Sequence, residues 1–266
     1  MILSPQDISH AKVYSRIVSL VPSQTELLYD LGLNEEVVGI TKFCVHPSAW
    51  YQTRTRVGGT KDVNIRTVSQ LKPGLIIANK EENFKEQVES LSKQFDVFVT
   101  DVSNLSDALQ MIRQVGKLVG RSLEAAELAD KIDSGFQQLN ASVETKRKLK
   151  AAYIIWQNPY MTVGGDTFIN DMMNRSGLQN IFDNQTRYPE IFLEEILNRQ
   201  SEMMLLSTEP YPFTKTHVTA MQSKLGIPVI LVNGEMFSWY GSRLIKAISY
   251  LENFHQKIEM IRMKNF

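Results

Sequence analysis

Three short stretches bring together side chains able to do chemistry. In Phe43-Cys44-Val45-His46-Pro47 a thiol and an imidazole stand two residues apart. Residues so spaced share a face in extended backbone, so the pair could ligate a metal or act as nucleophile and base. The alternative is a small buried thiol beside a hydrogen-bonded loop histidine, since His10 and His217 stand in unremarkable contexts and no third orienting group is identified. Asn79-Lys80-Glu81-Glu82-Asn83 directly follows a hydrophobic run. There Lys80 or Glu82 could meet polar groups of a ligand, or the acids could simply favour the first turn of a solvated helix. The third stretch, GEMFSWYGSRL (234–244), sets Met236, Phe237, Trp239 and Tyr240 at positions that cannot all face one core. Arg243 follows as a planar donor for a carboxylate or a ring. With Trp156, Tyr160 and Tyr188 in comparable places, these residues suggest an aromatic-lined cleft; a protein–protein patch is the alternative.

The familiar catalytic signatures are missing: the chain has no GxxxxGK[ST], no strand-borne GxGxxG, no HExxH and no GxSxG. Gly58-Gly59-Thr60-Lys61 and Gly164-Gly165-Asp166-Thr167 could seat an anion, but they read first as turn architecture. A single cysteine excludes an internal disulfide and a multi-cysteine zinc site. Lys+Arg and Asp+Glu balance at 29 each, so no global field draws the chain to nucleic acid or an anionic membrane. No apolar run reaches about 18 residues, and the N-terminus carries no recognisable export signal.

The elements that must position these stretches alternate. RIVSLV (16–21), EVVGIT (36–41), GLIIA (74–78) and DVFVTD (96–101) read as strands, with helices at about 23–32, 64–71 and 83–94. This alternation predicts a mainly parallel, doubly wound sheet. Ser23 and Glu26 suggest a capping box opening the first helix at the sheet's carboxyl edge, where such sheets bind ligands. Helices are expected at 104–119 and 122–146, the second spanning roughly 37 Å at 1.5 Å per residue. Beyond Lys146-Arg147-Lys148 the alternation resumes with AAYIIW (151–156), a helix from Asp166 to about Arg175, MMLLS (203–207), PVILV (228–232) and a final helix from about 241. TVSQLKPGLIIA (67–78) and EEILNRQSEMMLLS (194–207) echo one another as helix, polar turn and strand, which suggests two similarly built lobes.

RIVSLVPSQTELLYDLGL, VVGIT and VGGTKDVNIRTVSQLKPGLIIA, with NPYMTVGGDTFINDMMNRSGLQNIF (158–182) and IPVILVNGEMF, resemble the substrate-binding proteins of ABC importers for cobalamin, ferric siderophores and haem. The resemblance runs from about Arg16 to Phe254. It implies two doubly wound α/β lobes joined by one long rigid backbone helix, with the ligand cleft between them: an N-terminal lobe at 1–120, the helix at 121–147 and a C-terminal lobe at 148–266. It further implies a non-enzymatic, monomeric periplasmic protein with no intrinsic cofactor, clamping a metal chelate or tetrapyrrole and served by an ABC permease. Carried over position by position, the ligand-binding residues are Phe43, His46, Asn79, Lys80, Glu82, Tyr160, Met236, Trp239, Tyr240 and Arg243, with His46 able to act as an axial metal ligand. The chain departs from the pattern at Thr60 and Asn79, where the cobalamin binder has tryptophans, at Gly74, where the usual residue is Asp, and at Arg66, where members carry a permease-docking glutamate. Those departures and the missing export signal leave open a cytoplasmic sensor or enzyme of the same fold, uncoupled from transport and using Cys44 and His46.

Overall fold

The computed structural model describes residues 1–9, 12–143 and 147–264. His10, Lys146 and the last residues expected of the long helix, 144–146, lie outside the described residues. The chain divides into two compact units: Met1–Val102, Ser106–Lys131 and Tyr240–Arg243 form the first, and Ser103–Leu105, Ile132–Trp239 and Leu244–Phe266 the second.

In the first unit the chain runs α1 (Pro5–Ser9), β1 (Ile17–Ser19), α2 (Pro22–Asp30), β2 (Val37–Ile40), α3 (Ser48–Thr53), β3 (Thr55–Arg56), α4 (Ile65–Leu71), β4 (Leu75–Asn79), α5 (Lys85–Ser92), β5 (Asp96–Thr100) and α6 (Leu105–Leu118). Its five strands are all parallel in the order β3-β2-β1-β4-β5, with Ile17 paired to Val37 on one side and Leu75 on the other. Every residue of β4 is buried, which is why the strand reads as an unbroken apolar run instead of an alternating one. Val18, Leu20, Ile76, Ala78 and Val97 pack with Val68 of α4 and with Val88 and Leu91 of α5.

The expected capping box does not form. Pro22 takes the first helical position, where a missing N–H costs nothing, so Val21 is the N-cap and Ser23 lies inside α2. The Glu26 carboxylate accepts from Arg243 Nε at 2.7 Å.

The helix α7 (Ser122–Val143) carries the chain on, and the division between units falls within it. The second unit contains β6 (Leu149–Ile154), β7 (Tyr160–Met161), α8 (Phe168–Arg175), β8 (Leu178–Asn180), β9 (Glu190–Ile191), α9 (Leu193–Asn198), β10 (Met203–Ser207), α10 (Lys215–Leu225), β11 (Val229–Val232), α11 (Glu235–Ser238) and α12 (Leu244–Lys264). Its main sheet is again parallel, ordered β11-β10-β6-β8, while β7 and β9 make a small antiparallel pair. Ala152, Ile154, Met204, Leu206 and Phe182 lie in one apolar cluster with Ile196 of α9.

The helix–turn–strand echo is real. α4 leads to β4 through Lys72 at φ 47°, and α9 leads to β10 through Gln200 at φ 57°, so each turn uses a left-handed residue. The final helix begins at Leu244, not at about 241, because α11 forms a separate turn. Gly241, at φ 114°, then lies close enough to α2 that a Cβ would sit 3.3 Å from the Ser23 carbonyl oxygen.

Candidate ligand-binding edges

In each sheet one pair of neighbouring strands marks the point where strand order reverses, and loops at the carboxyl ends of such strands are where open α/β sheets bind ligands. In the first unit that point lies between β1 and β4. Three loops at this edge are pinned by two asparagines. Asn79 Oδ1 accepts from the N–H groups of Glu81 (2.8 Å) and Glu82 (3.1 Å), and its Nδ2 donates to the Thr100 carbonyl at 3.0 Å. Asn83 Oδ1 accepts from the Asn79 N–H at 2.9 Å, and Nδ2 donates to the Thr60 carbonyl at 2.9 Å. Asn79 is therefore a buried girder of this edge.

On that frame Phe43, Val45 and Phe84 stay exposed, at 51%, 42% and 50%. Phe84 was not legible as a site residue because it stands in a polar run at the N-cap of α5. Lys80 is solvent-exposed and donates to Asp101 at 2.6 Å, so its charge is already met. His46 and Glu82 are half-buried in the same edge.

Cys44 does not support nucleophilic chemistry. It is fully buried, its Sγ lies 3.1 Å from Thr25 Oγ1 and from Thr41 Oγ1, and burial pushes the thiol above its ordinary pKa, with the Glu82 charge acting in the same direction. The hydrogen-bond partners of the thiol among the described residues are two threonine hydroxyls, so the Cys44–His46 pairing is corrected to a buried small residue beside a loop histidine. Among the described residues no group of three or more His, Cys, Asp or Glu is placed to hold a metal ion.

In the second unit the reversal lies between β6 and β10, and an aromatic set gathers at their carboxyl ends. Trp156 is 39% exposed and stands edge-on to Tyr211, with ring centroids 5.5 Å apart. Tyr211 also meets Phe213 at 4.6 Å and His217 at 5.8 Å, and its hydroxyl is bonded by the Gln157 amide. The Thr214 N–H donates to His217 Nδ1 at 3.0 Å, and His217 Nε2 lies 3.4 Å from the Gln157 amide nitrogen. Tyr160 is half-buried beside the same cluster, and its hydroxyl pKa is raised by burial and by Tyr211. Tyr211, Gln157 and His217 escaped sequence reasoning because α10, which supplies the histidine, has only Met221 and Leu225 buried and a faint apolar period.

The aromatic stretch after β11 is placed differently from expectation. Phe237 is a core residue, packed against Tyr153 (5.3 Å) and Phe254 (5.8 Å). Trp239 and Tyr240 are buried, at 8% and 7% exposed, and Met236 is half-buried. Arg243 is turned inward, its Nε donating to Glu26 Oε2 at 2.7 Å. The premise that these aromatics cannot share one core holds, but the chain meets it by giving Phe237 to the core of the second unit and Tyr240–Arg243 to the first. The loop is fixed by Gly234, whose N–H donates to Thr208 Oγ1 at 3.0 Å and where a Cβ would strike Glu209 Cγ at 2.4 Å. Gly164 and Gly165 are likewise architectural, since Cβ atoms there would lie 2.5 Å and 2.1 Å from the carbonyl oxygens of Gln185 and Asp183.

The chain thus carries two parallel α/β units, a long helix and aromatic groups at carboxyl-edge loops, and comparison places it in a family. The family model described as periplasmic binding protein matches residues 17–231, and the chain belongs to that family, which is one of substrate-binding proteins. It is 25% identical over 236 residues to the vitamin B12-binding protein of Pectobacterium carotovorum, covering 87% of this chain and 85% of the relative. It is 29% identical to an uncharacterized ABC transporter substrate-binding lipoprotein of Bacillus subtilis, YvrC, covering 73% of this chain and 64% of that one. Among solved structures, the periplasmic heme-binding protein RhuT from Roseiflexus sp. RS-1 superposes with a TM-score of 0.78 at 17% identity, covering 91% of this chain and 97% of the other. Among the described residues no helix is long and apolar enough to cross a membrane.

Proposed function

We propose that the protein is the solute-binding component of an ABC importer and takes a metal chelate or tetrapyrrole, the ligand class to which vitamin B12 and haem belong. The observation that carries this reading is Trp156, a large ring left 39% exposed at the end of a central strand and held edge-on by Tyr211. A side chain so placed and so braced offers apolar area at little further cost in conformational entropy. Tyr160, Tyr211 and the Gln157 amide supply the polar fringe, and the first unit's own carboxyl edge exposes the apolar rings of Phe43 and Phe84. The relatives support delivery to a permease, with the protein acting in the periplasm or tethered outside the cell membrane.

The test is titration of the pure protein with cyanocobalamin, ferric protoporphyrin IX and ferric siderophores, followed by tryptophan fluorescence and the ligands' visible spectra. Saturable quenching with a shifted visible band is expected for one class. Unchanged spectra with all three, in protein shown to be folded, would overturn the reading.

A further inference from the structure

At the ligand edge of the first unit, two lysines are left without a counter-charge. Lys42 lies over the ring of Phe43, its Nζ 5.3 Å from the centroid, and Lys61 lies over Phe84 at 5.2 Å. Neither ammonium makes an ion pair among the described residues; that of Lys61 is held by the carbonyl oxygen of Glu81. Their neighbours behave otherwise. Lys80 is matched by Asp101 and Arg243 by Glu26. The two rings beneath the lysines are half exposed, on loops that cannot readily fold them away. Gly59 packs so closely that a Cβ would lie 3.2 Å from Phe43 Cε2 and 3.3 Å from Lys42 Cε, and Asn83 ties the Thr60 carbonyl to the loop carrying Phe84.

Each half of this surface therefore pairs an exposed phenyl ring with an ammonium that makes no ion pair among the described residues. A ring offers area to an apolar body, and a lysine lying over it offers a point charge to an anion. We infer that this edge selects guests with a flat or broadly apolar body and peripheral carboxylate groups, with Lys42 and Lys61 as the residues that read the charge. This rests on the chelate-binding reading above and narrows it: a tetrapyrrole diacid fits, and a guest whose rim is all neutral amides does not.

The experiment compares ferric protoporphyrin IX, its dimethyl ester and cyanocobalamin on the wild-type chain, on the Lys42→Gln/Lys61→Gln double variant and on Phe84→Ser. All these substitutions are at exposed positions. The wild type should bind the diacid at least tenfold more tightly than the diester. The double variant should lose that preference by weakening the diacid alone, whereas Phe84→Ser should weaken both. Equal affinity for diacid and diester, a double variant that keeps the preference, or tighter binding of cyanocobalamin than of the diacid would each overturn the inference while leaving chelate binding intact. Absence of binding by all three, with lysine-dependent capture on phosphatidylglycerol vesicles instead, would overturn both and identify the surface as a membrane contact.

Discussion

Arg243 Nε and Glu26 Oε2 meet at 2.7 Å although 217 residues separate them, and both side chains are at most 7% exposed. A buried ion pair of this kind returns little net stability compared with an apolar pair of similar shape, yet removing one member strands a charge in low dielectric. Arg243→Met alone should destabilise the first unit by about 3–5 kcal/mol. The double change Glu26→Leu/Arg243→Met should recover most of that loss. Urea unfolding of the three variants measures it, and a single variant within about 1 kcal/mol of wild type would show that the pair is solvated in solution.

That pair also marks how far the sequence could be read. Runs such as GLIIA and MMLLS announced buried parallel strands because apolar residues on both faces leave no other reading. The turns at Lys72 and Gln200 were legible as breaks between helix and strand. What local pattern could not convey was the destination of each aromatic ring. GEMFSWYGSRL is dense in aromatic surface whether those rings wall a ligand or fill two cores, and only tertiary contacts distinguish the cases. Phe84 and Tyr211, by contrast, lie in polar surroundings where a single ring draws no attention, and their meaning comes from the loops that hold them exposed.

Exchange of the two tryptophans' assigned roles can be measured. Trp239→Ala empties a buried site and should cost about 3–5 kcal/mol of stability. Trp156→Ala removes a ring that is 39% exposed, so it should leave the unfolding midpoint nearly unchanged and raise the dissociation constant of the bound chelate at least tenfold, or ~1.4 kcal/mol. Thermal unfolding and fluorescence titration on the same two proteins decide the matter. A stable Trp239→Ala protein with lost binding would return the ligand wall to residues 236–240.

Cys44 gives a prediction about reactivity. The thiol is buried, its pKa is raised by desolvation, and its two hydrogen-bond partners are threonines, so little thiolate exists near neutral pH and reagents cannot reach it. Alkylation by iodoacetamide at pH 8 should be at least a hundredfold slower than for a free thiol, and should rise to the free rate in denaturing urea. Rapid labelling of the folded protein would show the site open to solvent. Cys44→Ala should bind ligand as wild type does, with stability lowered by the loss of packing alone.

The alkaline limb of stability has a local source in Tyr14. Its hydroxyl donates to Asp96 Oδ2 at 2.8 Å, and burial, reinforced by that bond and by the charge of Asp96, pushes its pKa up to about 12 from 10.0. The folded state therefore keeps a proton that the unfolded chain loses first. The resulting stabilisation is complete below pH ~10 and disappears as pH rises through ~12. Tyr160 and Tyr250 are shifted the same way, so the informative quantity is a difference between proteins and not an absolute slope. Tyr14→Phe should be less stable than wild type at pH 9 and should lose less stability on going to pH 11.5, so that the two urea midpoints converge. Parallel curves across that interval would mean that the Tyr14 hydroxyl ionises as readily in the folded protein as in the unfolded chain.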